Sequence, residues 1–411
     1  MESHKMAFNT TVYSDLSAKY SNWDALRMFL TSEDGGKLRV VTNENDDLAI
    51  IRYTKGVSDF EKTHVPYFRS VIWNKTTNLP VSVAPIKALK GNPPADTPLR
   101  VTDFVDGTMF HAFRYNNRIR IATRTSLDAT GTFYSTRSFC ELFEDAFKAV
   151  GGKMSFLQSV LTEDGHFASF VLQHPEHKTV ASLAGPNFVV TYFGKVTGSD
   201  VWMSSSPCSS HPSPSSHPVW PARLVSYAPH VFEETHTFEN SDDSFQMMRS
   251  KATAMGYSWQ GMVFQGSDGK RWRLRNAAYV AVRTLRGSEA NPMDRFVRLR
   301  SQGQVKKYLD YFREEANTMW VFEQTLRKRT QELYDSYRDM NKLKTKTMKD
   351  LPYCLRPHVY ALHGMYLAGL PKDGTRKESV TPILKDAVVK YVNNLPSEEQ
   401  LKLLQGDRVV A

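Results

Sequence analysis

The chain has 411 residues, of which 41% are apolar and 23% charged, and Lys plus Arg exceed Asp plus Glu by 53 to 43, a formal net charge of +10. That composition excludes extensive disorder and gives room for two or three domains with a sizeable core. The positive balance favours polyanionic partners such as RNA.

Runs such as "AAYVAV" (277 to 282) fall far short of the roughly 18 apolar residues that cross a bilayer, and "MESHKMAFNTT" lacks the apolar core of a secretory signal. The expectation is a soluble protein without membrane insertion. Cys140, Cys208 and Cys354 are odd in number and far apart, so neither a disulfide framework nor a cysteine zinc site is indicated, and a reducing, cytoplasmic compartment fits.

Up to about residue 287 the chain reads mostly as antiparallel strand. "KLRVVT", "DLAIIRY", "RIRIAT", "FASFVLQ", "FVVTYFG", "QGMVFQG" and "AYVAVRTL" are short, rich in β-branched and aromatic residues, and end at turn formers. One helix interrupts them. In "STRSFCELFEDAFKAVGG", Ser138 and Glu141 have capping-box spacing, and Phe139, Leu142, Phe143, Ala146, Phe147 and Val150 repeat at helical intervals before Gly151.

Residues 204 to 221 form a Ser/Pro-rich tract that reads as an extended loop. His211, His217 and Cys208 within it are too irregularly spaced for a structural metal site. His230, Glu233 and His236 lie on a strand-like segment that places 230 and 233 on opposite faces. No metal site is expected from either group.

From about residue 300 the period becomes helical. Val305, Tyr308, Leu309 and Phe312 make one stripe, and Met319, Phe322, Leu326, Leu333, Tyr337 and Met340 continue it. The expected division is a sheet-rich domain over residues 1 to 287 and an all-helical domain over 288 to 411. The runs "LRKRT" and "KLKTKTMK" read as a solvated helix surface and a basic loop, since no aromatic residues are interleaved in the pattern that single strands prefer.

Four segments taken in order carry a resemblance: "RSVIWNKTTNLPVSVAPIKALKGN" (69 to 92), "TDFVDGT" with "RIATRTS", "SFVLQHPEHKTV" (169 to 180), and "QGMVFQGSDGKRWRLRNAAYVAVRTLRG" (260 to 287). Together they resemble the phage and large-DNA-virus type of ATP-dependent RNA ligase, a branch of the covalent nucleotidyltransferases. The resemblance implies an α+β fold: an antiparallel-sheet nucleotidyltransferase domain followed by an all-helical C-terminal domain. It also implies a chemistry in which a lysine amine attacks the α-phosphate of ATP, assisted by divalent metal.

The departures from that pattern decide the functional expectation. Phe104 stands where the nucleophilic lysine belongs, and Val171 and Gln260 stand where the resemblance places two carboxylates. Hard divalent cations need oxygen ligands. No catalytic residue is therefore assigned and no metal or cofactor is expected, with ATP and Mg entering only if activity is retained.

The resemblance carries over Arg69, Lys87, Asp106, Gly107, Arg124, Arg273 and Arg275 as candidates for nucleotide or phosphate binding. Phe104 is read first as a core ring filling a vacated pocket, and second as a base-stacking surface. The functional expectation is an inactive RNA-ligase-like pseudoenzyme acting as a binding or structural component. Its expected partners are RNA and viral or other structural proteins, in the cytoplasm or a virion. The alternative is an active ATP-dependent RNA ligase using a different lysine.

Overall fold

The computed structural model describes residues 7–44, 46–97, 99–150, 155–177, 179–205, 224, 226–240, 242–370 and 382–407. The chain divides into two compact units, residues 1–281 and 282–411. The first contains antiparallel sheets and the described part of the second is helical, so the protein is α+β.

The first unit begins with β1 (Ala7–Thr10), α1 (Val12–Lys19) and α2 (Trp23–Thr31), the last capped by Asn22, whose side chain accepts from the Ala25 amide. There follow β2 (Arg39–Thr42), β3 (Leu48–Arg52), β4 (Val71–Asn74), β5 (Leu79–Val83), β6 (Leu89–Lys90), β7 (Leu99–Asp103), β8 (Thr108–Tyr115) and β9 (Arg118–Thr123). Next come α3 (Phe139–Ala149), α4 (Ser155–Val160), β10 (His166–Gln173), β11 (Asn187–Thr197), β12 (Asp200–Ser204) and β13 (Val231–His236). The unit closes with α5 (Asp243–Met255), β14 (Gly261–Gly266), β15 (Arg271–Arg275) and α6 (Ala277–Arg286), which runs past the division.

The strands form three sheets, ordered β1-β12-β11-β10-β8-β9, β13-β7-β14-β15-β6 and β2-β3-β4-β5. Pairing is antiparallel except between β15 and β6. Alternation along β8 and β10 explains how the six-stranded sheet acquires two different faces. Phe113 and Phe167 join a core with Trp73, Phe68 and Tyr13 from the four-stranded sheet region, whereas Phe110, Ala112, Phe170 and Leu172 face α3. The capping box expected at Ser138 and Glu141 is present, and Phe143 of α3 stacks on Phe110 with ring centroids 4.8 Å apart. A third core joins Val101, Phe264, Trp272 and Leu274 to Met248 of α5.

Several sequence expectations need correction. "AYVAVRTL" is helix α6, not strand: Tyr279, Val282 and Leu285, spaced by three, are its buried apolar residues. The β-branched content misled the reading of its period. Helices α1, α2, α4 and α5 also lie within the region read as mostly strand. The Ser/Pro tract from residue 206 onward, with Cys208, His211 and His217, lies outside the described residues, as do the side chains of Glu233 and His236.

The helical unit contains α7 (Pro292–Ser301), α8 (Val305–Tyr311), α9 (Ala316–Asn341), α10 (Arg356–Ala368), α11 (Lys385–Asn393) and α12 (Ser397–Gln405). α9 packs against α10, α11 and α12, and Met319, Leu326, Leu333 and Tyr337 form its buried stripe. Within this unit a buried Arg295 donates to both Glu315 carboxylate oxygens at 3.1 Å, and the Tyr308 hydroxyl donates to Glu315 at 2.9 Å.

Candidate functional site: an arginine-faced cleft

β15 reads Arg-Trp-Arg-Leu-Arg, and strand alternation divides it cleanly. Trp272 and Leu274 enter the core over α5, which leaves Arg271, Arg273 and Arg275 on the other face. At about 3.3 to 3.4 Å per residue, these alternate side chains leave the strand roughly 6.7 Å apart.

Strand register extends this face across the sheet. Arg271 lies beside Gln265 and then Arg100, and Arg273 lies beside Val263 and then Thr102. Arg275 lies beside Gly261, which accepts from the Phe104 amide at 2.9 Å. Gly261 has φ +129, and a Cβ there would meet the Leu274 carbonyl oxygen at 2.1 Å. With no side chain between them, Phe104 and Arg275 reach each other, the guanidinium carbon lying 5.2 Å from the ring centroid. The Phe104 ring is only partly buried there.

Opposite the arginine face lies the six-stranded sheet. Tyr192 on β11 donates its hydroxyl to Gln265 and sits under Arg271, 5.4 Å from ring centroid to guanidinium carbon. Arg271 also donates to the Ile86 carbonyl at 3.1 Å. Arg124, two residues beyond the Ala122 partner of His111, donates to the Arg69 carbonyl at 3.2 Å and lies 5.0 Å from the centre of the Tyr53 ring. The Lys87 ammonium sits 3.2 Å from the centre of Phe60.

The electrostatics are those of like charges held together. Burial, then the Arg271 and Arg124 guanidinium groups, push Arg69 down to about 10. Burial, then Arg273, lowers Lys87. Arg69, Lys87, Arg124 and Arg271 make no ion pair among the described residues, although many other basic side chains of the chain do. The sequence singled out Arg69, Lys87, Arg124, Arg273 and Arg275 but missed Arg271, which the alternation of "RWRLR" places on the same face as Arg273 and Arg275.

The remaining candidates have other surroundings. Asp106 accepts from the Val180 amide at 3.0 Å through its carboxylate and from Gln173 at 3.1 Å through its carbonyl, so it holds a turn. Gly107 has φ +152, and a Cβ there would lie 2.2 Å from the Leu172 carbonyl oxygen and 2.8 Å from a Val171 methyl. Val171 therefore closes over the turn. Gln260 is buried, with its carbonyl accepting from Asn276 at 3.0 Å. Asp103, next to Phe104, turns to the α5 side and accepts from the Trp259 indole at 2.7 Å. Among the described residues no cluster of three or more His, Cys, Asp or Glu side chains could hold a metal ion.

No protein-family model matches the chain, and no curated protein matches it. Among solved structures it is similar to an archaeal ATP-dependent RNA ligase, with 9% identity, a TM-score of 0.36, and coverage of 70% of this chain and 68% of that one. A Naegleria gruberi RNA ligase variant with AMP and Mn gives 11% identity and a TM-score of 0.30 over 46% of this chain. The same organism's RNA ligase with pyrophosphate gives 13% and 0.30 over 46%. The chain spans about half the length of those Naegleria proteins, 53% and 52%.

Proposed function

We propose that this chain is an RNA-ligase-like protein that no longer nucleotidylates itself and uses the cleft to bind phosphate, carried on a nucleotide or on RNA. It acts as a binding or structural component, in a virion or an infected cell. What supports the reading is the set of four cations, Arg69, Lys87, Arg124 and Arg271, gathered without a carboxylate partner among the described residues. Crowded, partly desolvated cations disfavour their own charged forms, and a polyanion entering among them reverses that cost. Phe104 brings an aromatic ring to the place where covalent capture needs a nitrogen.

A second reading, an active ligase attacking through Lys87, is favoured by the lowering of that amine by burial and Arg273. A desolvated lysine beside another cation is a better nucleophile at neutral pH. Incubation with α-labelled ATP and Mg, followed by denaturing electrophoresis, separates the two. The pseudoenzyme reading expects calorimetric binding of ATP or RNA, weakened by Arg273→Gln, with no labelled band. A band abolished by Lys87→Arg would overturn it.

A further inference from the structure

Ala122, His111, Ser169 and Tyr192 are register partners across β9, β8, β10 and β11, so their side chains leave one face of the sheet. Tyr192 identifies that face, because it reaches Gln265 and Arg271 on the opposing sheet. His111 and Ser169 are both 0% exposed, and neither imidazole nitrogen nor the serine hydroxyl has a hydrogen-bond partner among the described residues. The side-chain nitrogen of Gln265, whose oxygen accepts from Tyr192, also has no partner among the described residues.

Buried polar groups in folded proteins are nearly always paired, and leaving one unpaired lowers stability. The neighbouring positions on the same face, Phe113 and Phe167, show that apolar side chains fit there. A histidine and a serine side by side in that row weaken the ligand-free fold and make sense when something meets them.

We propose that His111 and Ser169 are ligand contacts, neutral hydrogen-bond donors to a phosphate oxygen of the polyanion held by Arg69, Arg124 and Arg271. The assignment rests on the phosphate-binding reading above and adds its uncharged partners. Arg124 lies two residues beyond Ala122, the register partner of His111, and donates to the Arg69 carbonyl, while Arg271 lies over Tyr192, the register partner of Ser169, so the row is bordered by guanidinium groups. The arrangement suits an oxyanion better than a nucleobase edge.

The test uses the full chain, with thermal unfolding and calorimetry against ATP and, separately, inorganic tripolyphosphate. For His111→Leu and Ser169→Ala the ligand-free Tm should hold or rise, because each removes an unpaired polar group. Affinity for both ligands should fall about ten-fold or more. A His111→Leu protein that melts earlier yet binds both ligands unchanged would overturn the assignment, the histidine then being paired with buried water. Loss of ATP binding alone would also overturn it, by moving the contact to the base or ribose. If His111→Leu does not fold, Ser169→Ala decides the matter by the same criteria. Wild-type protein that binds neither ligand would sink the phosphate-binding reading itself, whereas binding weakened by Arg273→Gln but not by His111→Leu or Ser169→Ala would sink only this inference.

Discussion

Replacing Arg273 with Gln should change how the protein's affinity for RNA depends on salt. Four cations line the cleft without ion-pair partners among the described residues, and Arg273 and Arg275 continue the same face of β15. Each phosphate neutralised on a single strand contributes about −0.7 to the slope of log affinity against log salt, so four to six contacts predict a slope of about −3 to −4. Between about 50 and 200 mM salt, affinity should fall roughly 60- to 300-fold. Fluorescence anisotropy with a labelled single-stranded oligoribonucleotide measures this directly. Arg273→Gln should make the slope shallower by about 0.7. Arg249→Gln, an exposed cation on α5 behind the sheet, should leave it unchanged. A wild-type slope shallower than about −1, or equal effects of the two substitutions, would refute the assignment of the arginine face to phosphate.

Three other outcomes follow from the same structure. Burial pushes His111 down to about 3 and His177 down to about 4. Their folded forms refuse the proton that the unfolded chain accepts below about 6.5, so stability is full above that pH and is lost as pH falls toward 4. At pH 5 the pair should cost about 4 kcal/mol, and His111→Leu should flatten the acid limb of a urea-midpoint profile. In the helical unit, Glu315→Ala leaves a buried guanidinium unpaired and should cost about 3 to 5 kcal/mol, while combining Arg295→Met with Glu315→Leu should recover most of it in thermal unfolding. Gly107→Ala drives a methyl into the Leu172 carbonyl, and chemical denaturation should show a loss above about 2 kcal/mol.

Much of the sheet was legible because one-sided burial writes a period of two into the sequence. "RIRIAT" is β9 and "FASFVLQ" lies within β10. α6 was misread because Tyr, Val and Ala satisfy either period over eight residues, and only the burial of Tyr279, Val282 and Leu285 decides between them. The site was legible as a list of cations but not as a surface. Arg271 needed the β15 face to be recognised, and the exposure of Phe104 needed its register opposite Gly261. The His111–Ser169 row joins strand pair β8–β9 to strand pair β10–β11, more than 40 residues later in the chain, so no local pattern announces it.

That surface bears on whether the fold serves as a scaffold or as a receptor. A scaffold needs shape, and apolar or paired residues supply shape more stably than crowded guanidinium groups and an unpaired buried imidazole. Arg69 and Lys87 carry charge in surroundings that oppose it, and His111 is buried with no hydrogen-bond partner among the described residues. These unfavourable terms meet at the arginine face, although unpaired buried polar groups also occur elsewhere, at His177 and His363 among them. Local instability at the arginine face has a physical rationale when a ligand supplies the missing charge and hydrogen bonds, and a purely structural role supplies neither.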